Sequence, residues 1–279
     1  PGFAIAAGGT RNNEAMPATD DVIMGGVAVE LVHIGSLYHD DVMDEAEMRR
    51  NAPSVNSRWG NLKAILAGDF LLARASEIAA GLGTEVAGLL AATISQLCEG
   101  QILELRDTYN VDRSQEDYER SIAGKTASLL ATACRVGGIV GECPRADIDA
   151  LTEFGHAYGM AFQIVDDILE VIATADQLGK PAGNDLLEGV YTLPVLRAMH
   201  SEGGSELRSL LGGELSVAQR DRARDLVRAS VGVDDALHEA RGWADKAGAV
   251  LTSLPASAST DALLAAANHL IRRAADPLS

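Results

Sequence analysis

The chain has 279 residues, enough to bury a large core in one big domain or two small ones. It carries 40 acidic and 23 basic residues, and the net charge of −17 argues against nucleic acid or an anionic membrane as a general partner. The cysteines Cys98, Cys134 and Cys143 are odd in number and show no metal-ligand spacing, which favours a reducing, cytoplasmic location.

No apolar run reaches the roughly 18 residues that a membrane-spanning helix needs, so we expect no transmembrane segment. We recognise no signal peptide. The chain opens at Pro1 without a methionine, and we expect the native N-terminus to lie before it.

Helix signals fill the chain, whereas alternating strand segments joined by Asn-Gly or Asp-Gly turns are missing. In chain order, the first predicted helix runs from Asp20 to Leu37 and carries carboxylates at its C-terminal end. A loop around Pro53 follows, after which Ser57 is predicted to cap a helix that ends near Ala80. Later helices are predicted over about 84–109, 114–136 and 146–171, from 192 onward, and over 217–230, 234–254 and 260–275, with a polar loop at 179–190. We therefore predict one all-α domain spanning residues 1–279.

The first motif is Tyr38-His39-Asp40-Asp41-Val42-Met43-Asp44, followed by Arg49-Arg50. Asp40, Asp41 and Asp44 stand at i, i+1 and i+4, so Asp40 and Asp44 stack one turn apart on a helix. The helix macrodipole and mutual repulsion disfavour carboxylates there unless a cation lies between them. Mg2+ binds carboxylate oxygens together with phosphate oxygens of a substrate. For a single motif, a solvated acidic helix end would be the simpler interpretation.

A second motif, Asp166-Asp167-Ile168-Leu169-Glu170, repeats this spacing at the end of the apolar stretch Phe154–Val165. Two such clusters facing one cavity would hold several Mg2+ ions and, with them, a diphosphate. The repetition favours a functional site over a solvated surface.

With both motifs in place, the chain resembles the trans-type (all-E) polyprenyl diphosphate synthase family along nearly its whole length. The matching blocks are HDDVMD with the following RR, AILAGDFLLA at 64–73, GKT at 124–126, FQIVDDILE at 162–170 and GKPAGNDLLEG at 179–189. The resemblance implies a bundle of long helices around a deep central cavity, with the acidic motifs facing each other across its mouth, in a homodimer.

The resemblance also implies the reaction. An allylic diphosphate loses diphosphate, isopentenyl diphosphate attacks the allylic cation head to tail, and a proton leaves. Mg2+ and cationic side chains would neutralise the departing diphosphate.

Residue roles follow from the matching blocks. The implied metal ligands are Asp40, Asp41, Asp44, Asp166, Asp167 and Glu170, with Asp185 near a metal through water. The implied substrate contacts are Arg49, Lys125 and Lys180 to the allylic diphosphate, Thr126 and Gln163 beside them, and Arg50 to isopentenyl diphosphate. The five aspartates of the two motifs, with Lys125 and Lys180, are the predicted catalytic residues.

Three positions depart from the family pattern, and one family block is incomplete. Glu170 stands where Asp is usual, Asn56 where a His commonly contacts isopentenyl diphosphate, and Val190 where a Lys is usual. Pro1 would be the proline of a GK-x-R-P block whose Lys and Arg precede the sequence. These departures affect the isopentenyl diphosphate site more than the metal site.

Product length is predicted from the residues that precede the first aspartate. In short-chain family members an aromatic residue four or five positions before it closes the cavity, and here those positions hold Ser36 and Gly35, with Val32 one turn deeper. Because these side chains are small or medium-sized, we expect a medium- or long-chain all-trans product. The alternative is that Gly35 and Ser36 only permit close helix packing, and that a neighbouring helix near Cys98 closes the cavity.

Two other functions fit parts of the pattern. A terpene cyclase or head-to-head synthase also pairs acidic motifs, but its cation would need an aromatic lining, and aromatic residues are only 4% of this chain. A non-catalytic subunit of a heteromeric synthase typically loses aspartates, which this chain keeps, although Asn56 and Val190 leave that alternative open. A structural role is expected for His33, Tyr38, His39 and Cys98.

Overall fold

A computed structural model describes residues 10–11, 14–15, 18–49, 52–174 and 182–275 of the chain. Within these ranges almost all regular structure is helical, which confirms the all-α prediction. Two predicted substrate contacts, Arg50 and Lys180, lie outside the described residues, as does Pro1.

The helices, in chain order, are α1 (Asp20–Met43), α2 (Val55–Trp59), α3 (Asn61–Gly81), α4 (Thr84–Arg106), α5 (Gln115–Ile122), α6 (Ser128–Val140), α7 (Arg145–Ile172), α8 (Asn184–Glu188), α9 (Leu193–Met199), α10 (Gly204–Leu210), α11 (Val217–Ala229), α12 (Gly232–Leu251) and α13 (Ala258–Ala275). Two antiparallel pairs of two-residue strands accompany them, β1 (Thr10–Arg11) with β2 (Glu14–Ala15) and β3 (Met48–Arg49) with β4 (Ala52–Pro53).

The start of the helical region after the first motif differs from the prediction. Ser54, and not Ser57, is the capping residue: its hydroxyl accepts a hydrogen bond from the Ser57 N–H at 3.3 Å and begins the short helix α2. Gly60, at a φ of +87°, then turns the chain into α3. The predicted cap at Ser57 is therefore wrong, because the oxygen that starts the helix lies one turn earlier.

Two further differences concern short elements. The helix predicted over 114–136 is divided by a π-helical turn, Ala123–Ala127, between α5 and α6. The predicted loop at 179–190 contains α8 in its described part, and α10 is absent from the sequence prediction. These helices have five and seven residues, too few for a helical period to stand out in the sequence.

The described residues divide into two compact units. The first takes those of 1–97 together with 128–156 and 246–266, and the second takes 98–127 with the described residues of 157–245 and 267–279. The single-domain assignment stays a prediction.

In the first unit, α1 packs closely on α3 where two glycines face each other. A Cβ atom built at Gly35 would lie 3.2 Å from the carbonyl oxygen of Gly68 and 3.3 Å from the side chain of Leu72. A Cβ atom at Gly68 would lie 2.4 Å from Nε2 of His39, a ring that also contacts Asp69 at 3.3 Å. Gly35 is thus a helix-packing glycine, and His39 helps to hold the end of α1 against α3.

In the second unit, the core surrounds the inner face of α7. Its largest fully buried side chains include Ile164 and Ile168 of α7, Tyr118 of α5, Leu193 of α9, and Tyr191 just before α9. Burial of this apolar surface stabilises the helix that carries the second acidic motif.

Gly100 of α4 lies directly against the π-helical turn of the second unit. A Cβ atom at Gly100 would lie 2.3 Å from the backbone nitrogen of Lys125 and 2.8 Å from the carbonyl oxygen of Ser121. π-Helical turns occur frequently at functional sites, and this one carries the predicted site residues Lys125 and Thr126. The missing side chain at position 100 therefore sets how closely this turn approaches α4.

Among the described residues, α1 and α4 are long and apolar enough to cross a membrane by length and composition alone. Core helices of soluble proteins pass the same test, so this is weak support for a membrane span. The expectation of no transmembrane segment stays a prediction.

We predict that Gly100→Ala destabilises the protein by about 1–3 kcal/mol, because the added methyl group would overlap backbone atoms that cannot rotate away. Gly88 is the matched control on the same helix, since a Cβ atom there meets nothing within 4 Å. Gly88→Ala should raise the free energy of unfolding by roughly 0.5–1 kcal/mol, as alanine is the better helix former. Urea unfolding measures both. Equal effects of the two substitutions would contradict the packing described here.

Candidate functional site

The first acidic motif occupies the last turn of α1. Asp40 and Asp41 lie within the helix, and Asp44 is its C-cap residue, whose N–H donates to the Asp40 carbonyl at 2.8 Å. The Asp41 side chain is buried, Asp40 is half-buried and Asp44 is exposed. No basic residue lies in the last turn of α1, so the charge at this negative helix end must be balanced from elsewhere.

Arg49 supplies that balance for Asp41. Its Nε and Nη2 donate to the same carboxylate oxygen of Asp41 at 2.8 and 2.6 Å. Only 2% of the Asp41 side chain is exposed, and a carboxylate buried to this degree is costly unless it is paired. The structure thus brings together one predicted metal ligand and one predicted diphosphate contact, in contact with each other.

Asn56 holds the loop that returns from the first motif. Its Nδ2 donates to the carbonyl of Asp41 at 2.9 Å and to that of Ala46 at 3.1 Å, and the Ser54 hydroxyl donates to the same Ala46 carbonyl. These bonds tie the end of α1 to the start of α2, with Arg49 between them. Asn56 stands where the resemblance implies a histidine, and its amide nitrogen fixes the backbone here.

The second acidic motif lies in the last two turns of α7. Asp166 is exposed, whereas Asp167 and Glu170 are 4% and 5% exposed. The Tyr118 hydroxyl donates to Oδ2 of Asp167 at 2.6 Å, and Nε2 of Gln163 donates to Oδ1 at 2.8 Å. Both oxygens of the buried Asp167 are therefore oriented by protein donors.

The same network reaches the GKT block. The Thr126 hydroxyl donates to Oε1 of Gln163 at 2.7 Å, so Thr126, Gln163 and Asp167 form one hydrogen-bonded row. Lys125, in the π-helical turn, forms an ion pair with Glu104 of α4. Among described residues, the structure thus joins the predicted substrate contacts Thr126 and Gln163 to a predicted metal ligand.

Burial raises the pKa of Asp167 to about 7, although the hydrogen bonds from Tyr118 and Gln163 act in the opposite direction. The charges of Asp166 and Glu104 raise the pKa further. Burial and the neighbouring Asp167 also raise the pKa of Tyr118, which keeps its hydroxyl a proton donor. A bound cation would stabilise the ionised form of the Asp167 carboxyl group and so lower its pKa.

The oxygen donors of the two motifs suit Mg2+, which often binds one or two carboxylates and completes its shell with waters and substrate phosphates. Within the described part of the chain, no group of three or more His, Cys, Asp or Glu side chains is placed to hold a metal by itself. The predicted ligands remain Asp40, Asp41 and Asp44 in the first unit, and Asp166, Asp167 and Glu170 in the second.

The predicted chain-length residues lie in three different settings. Val32 is fully buried in the core of the first unit, and Gly35 packs on α3. Ser36 is half-buried, and its hydroxyl donates to the carbonyl of His33 at 2.9 Å. Ser36 is the least buried of the three positions.

The sequence motifs do not include two residues of the site. Tyr118 lies in α5 and belongs to none of the matching blocks, yet its hydroxyl orients Asp167. Glu104 lies near the end of α4, outside the blocks as well, and pairs with Lys125. Nothing in the sequence marks the partner of either residue.

Comparison with known proteins gives a consistent family. The model of the family described as polyprenyl synthetase matches residues 5–228. The nonaprenyl diphosphate synthase of Mycobacterium tuberculosis is 41% identical over 261 residues, which is 92% of this chain and 78% of the relative. The heptaprenyl diphosphate synthase component 2 of Geobacillus stearothermophilus is 40% identical over 230 residues, covering 82% of this chain and 72% of the relative.

A solved structure agrees with the fold. The polyprenyl synthase from Caulobacter crescentus, crystallised with calcium and isoprenyl diphosphate, superposes with a TM-score of 0.89 at 33% identity. The superposition covers 97% of this chain and 82% of that structure. That protein was therefore solved with a divalent metal and a prenyl diphosphate.

We predict that Asp167→Asn changes how stability depends on pH in the metal-free protein. Because the folded protein raises the pKa of Asp167 from 3.8 to about 7, this group contributes stability below about pH 4 that is lost as the pH rises through about 7. As the pH rises from about 4 to about 7, the free energy of unfolding of the wild type should fall relative to that of the variant. Urea unfolding in EDTA at several pH values measures this, and parallel pH profiles would contradict the assignment.

Proposed function

Because the chain belongs to the polyprenyl synthetase family and is a trans-prenyltransferase, we propose that it condenses an allylic diphosphate with isopentenyl diphosphate, head to tail, using Mg2+. The observation that carries the proposal is the retention of every carboxylate of both motifs at the ends of α1 and α7. A polyprenyl synthase solved with calcium and isoprenyl diphosphate supports a divalent metal.

The residues present fit the proposed metal. Asp40, Asp41 and Asp44 would hold it at the end of α1, and Asp166, Asp167 and Glu170 at the end of α7. When bound with the diphosphate, Mg2+ supplies the positive charge that makes diphosphate a better leaving group.

The chain's own cations and donors would bind and orient the diphosphate. Lys125 presents an ammonium group from the π-helical turn, where it forms an ion pair with Glu104. Gln163, itself bound by Thr126, donates to Asp167, and these hydrogen bonds fix the orientation of the carboxylate. Arg49 and Asp41 already neutralise each other, and we propose that an arriving diphosphate competes with Asp41 for the guanidinium group.

We propose a medium- or long-chain all-trans polyprenyl diphosphate as product. Two relatives at about 40% identity are named for nonaprenyl and heptaprenyl products. Ser36, four positions before the first aspartate, is small and half-buried. Gly35 supports this only indirectly, since its missing side chain serves the contact between α1 and α3.

We propose that two copies of the chain associate. Along α3, Leu62, Ile65, Leu66 and Phe70 are between 41% and 73% exposed, an apolar stripe long enough to cover a partner helix. The relative named as component 2 of a heptaprenyl diphosphate synthase offers a second candidate, in which this chain is the catalytic part of a heteromeric enzyme. The three cysteines are free, which supports the cytoplasmic location that we propose.

The proposed reaction is tested by supplying an allylic diphosphate, isopentenyl diphosphate and Mg2+ to the purified protein. We expect prenyl products in Mg2+ and none in EDTA. Asp40→Ala should lower the rate by about two orders of magnitude or more, because the leaving diphosphate loses charge stabilisation. Asp21→Ala, in the exposed first turn of the same helix, is the matched control and should keep near wild-type activity. Full turnover in EDTA would rule the mechanism out.

Product length is tested at Ser36. Ser36→Phe should shorten the products while the first condensation continues, because a ring at this position would fill the path of the growing chain. Ser76→Phe is the matched control: its hydroxyl donates to a carbonyl in the same way, but from an exposed position on α3. Chromatography of the dephosphorylated products measures both. An unchanged product distribution in Ser36→Phe, or a wild-type product no longer than farnesyl diphosphate, would contradict the proposal.

A further inference from the structure

The end of α7 places three carboxylates where a helix is least able to carry them. Asp166, Asp167 and Glu170 lie in the last seven residues, at the negative end of the macrodipole. The last turn contains no basic residue, and the final carbonyl groups have no partners within the helix. Some other part of the chain must stabilise this end.

Three arginines of α11 do so. Arg220, Arg224 and Arg228 follow one another at intervals of four residues, so they lie on one side of α11. Nε of Arg224 donates to the Val171 carbonyl at 2.6 Å. We call these three residues the arginine ladder. Their side chains also donate to three other backbone carbonyls: Arg224 to that of Ala173, Arg228 to that of Ile172 and Arg220 to that of Ala182.

After α7, the glycine at position 183 leaves room for the side chains of the ladder. Gly183 has a φ of +77°, and a Cβ atom there would lie 2.8 Å from Cδ of Arg220 and 3.3 Å from Cδ of Arg224. The arginine stems therefore run against bare backbone. Any side chain at position 183 would be strained and would push on the ladder.

Glu170 of the second motif binds the same stretch of chain as the ladder. Its Oε1 accepts a hydrogen bond from the Asn184 N–H at 2.8 Å, and its carbonyl accepts one from the Gly183 N–H at 3.2 Å. Burial and the charge of Arg228 lower the pKa of Arg224, while Glu170 raises it. Arg220 of the ladder and Glu170 thus both bind the chain at residues 182–184.

We propose that the arginine ladder of α11 positions the second acidic motif by capping α7, and that it thereby sets the affinity of this motif for a divalent metal with diphosphate. The inference rests on the proposed function. Arg220, Arg224 and Arg228 are positioning residues, since the bonds that define the ladder go to backbone carbonyls and not to the carboxylates.

Positioning and simple charge compensation predict opposite results. Removing a cation beside the motif would, by charge alone, make the site more negative and tighten the binding of a metal ion. Removing a cap would instead leave the carbonyls of residues 171–173 without donors and let the last turn fray, which weakens a site built on it. The sign of the change in metal affinity therefore separates the two explanations.

The test is the binding of Mn2+ in the presence of inorganic diphosphate, followed by electron paramagnetic resonance. In a background with Asp40 and Asp44 changed to alanine, the first motif keeps only Asp41, which is bound to Arg49, so Mn2+ binding reports chiefly the second motif. Arg224→Ala should weaken Mn2+ binding by about tenfold, the usual effect of losing an outer contact of a metal site. Arg224→Lys should recover part of the loss, since one ammonium group can serve one of the two carbonyls.

Arg222 is the matched control on the same helix, because it pairs with Glu206 and not with α7. Arg222→Ala should bind Mn2+ as the background does. Arg228→Ala, which loses a single contact, is the milder variant should Arg224→Ala fold poorly. In the otherwise native enzyme, Arg224→Ala should raise the Mg2+ concentration for half-maximal rate more than it lowers kcat at saturating Mg2+.

The inference would be wrong if the Arg224 and Arg228 variants bound Mn2+ as tightly as the background or more tightly, while the background itself bound Mn2+ normally. The proposed function would not be affected by that result. Wild-type protein that binds no Mn2+ with diphosphate would overturn both. Equal weakening in Arg222→Ala would also overturn the inference, since it would show a general effect of losing charge from α11.

Discussion

Carboxylates gathered at the negative ends of two helices are the constraint on which the rest of this structure depends. Such groups repel each other and oppose the helix dipole, so each cluster needs partners from outside its own helix. At the end of α1, Arg49 neutralises Asp41. At the end of α7, Tyr118 and Gln163 bind Asp167, and the arginine ladder binds the carbonyl groups. The two helix ends are stabilised by different chemistry.

This arrangement divides the work within each motif. One aspartate of each, Asp41 or Asp167, is buried and held by donors of the protein. Asp44 and Asp166, in contrast, are exposed. A buried carboxylate that is already oriented loses little freedom when a ligand binds, whereas an exposed one can adjust to the ligand's shape. The fold therefore offers each acidic motif a fixed part and an adaptable part.

Much of this could be predicted from the sequence, because the signals were local. The helical period and the spacing of Asp40, Asp44 and Asp166 identify two helices with acidic ends. The family blocks add roles for Thr126 and Gln163, which the structure brings together with Asp167.

What the sequence could not predict depends on contacts between distant segments. Tyr118 meets Asp167 across 49 positions, and Arg224 meets Val171 across 53. The packing of Gly35 on Gly68 likewise appears only once α1 and α3 are placed side by side. For Gly35, that contact supports the alternative of close helix packing, which the sequence left open beside a role in product length.

The central claim is that both acidic helix ends bind a divalent metal together with a diphosphate. Crystals grown with Mn2+ and inorganic diphosphate test it most directly, because the anomalous scattering of Mn2+ identifies the ion without ambiguity. The account predicts Mn2+ bound to carboxylate oxygens of Asp40 or Asp44 at the end of α1, and of Asp166 or Asp167 at the end of α7. Diphosphate bound by arginine and lysine side chains alone, with no Mn2+ at either helix end, would contradict it.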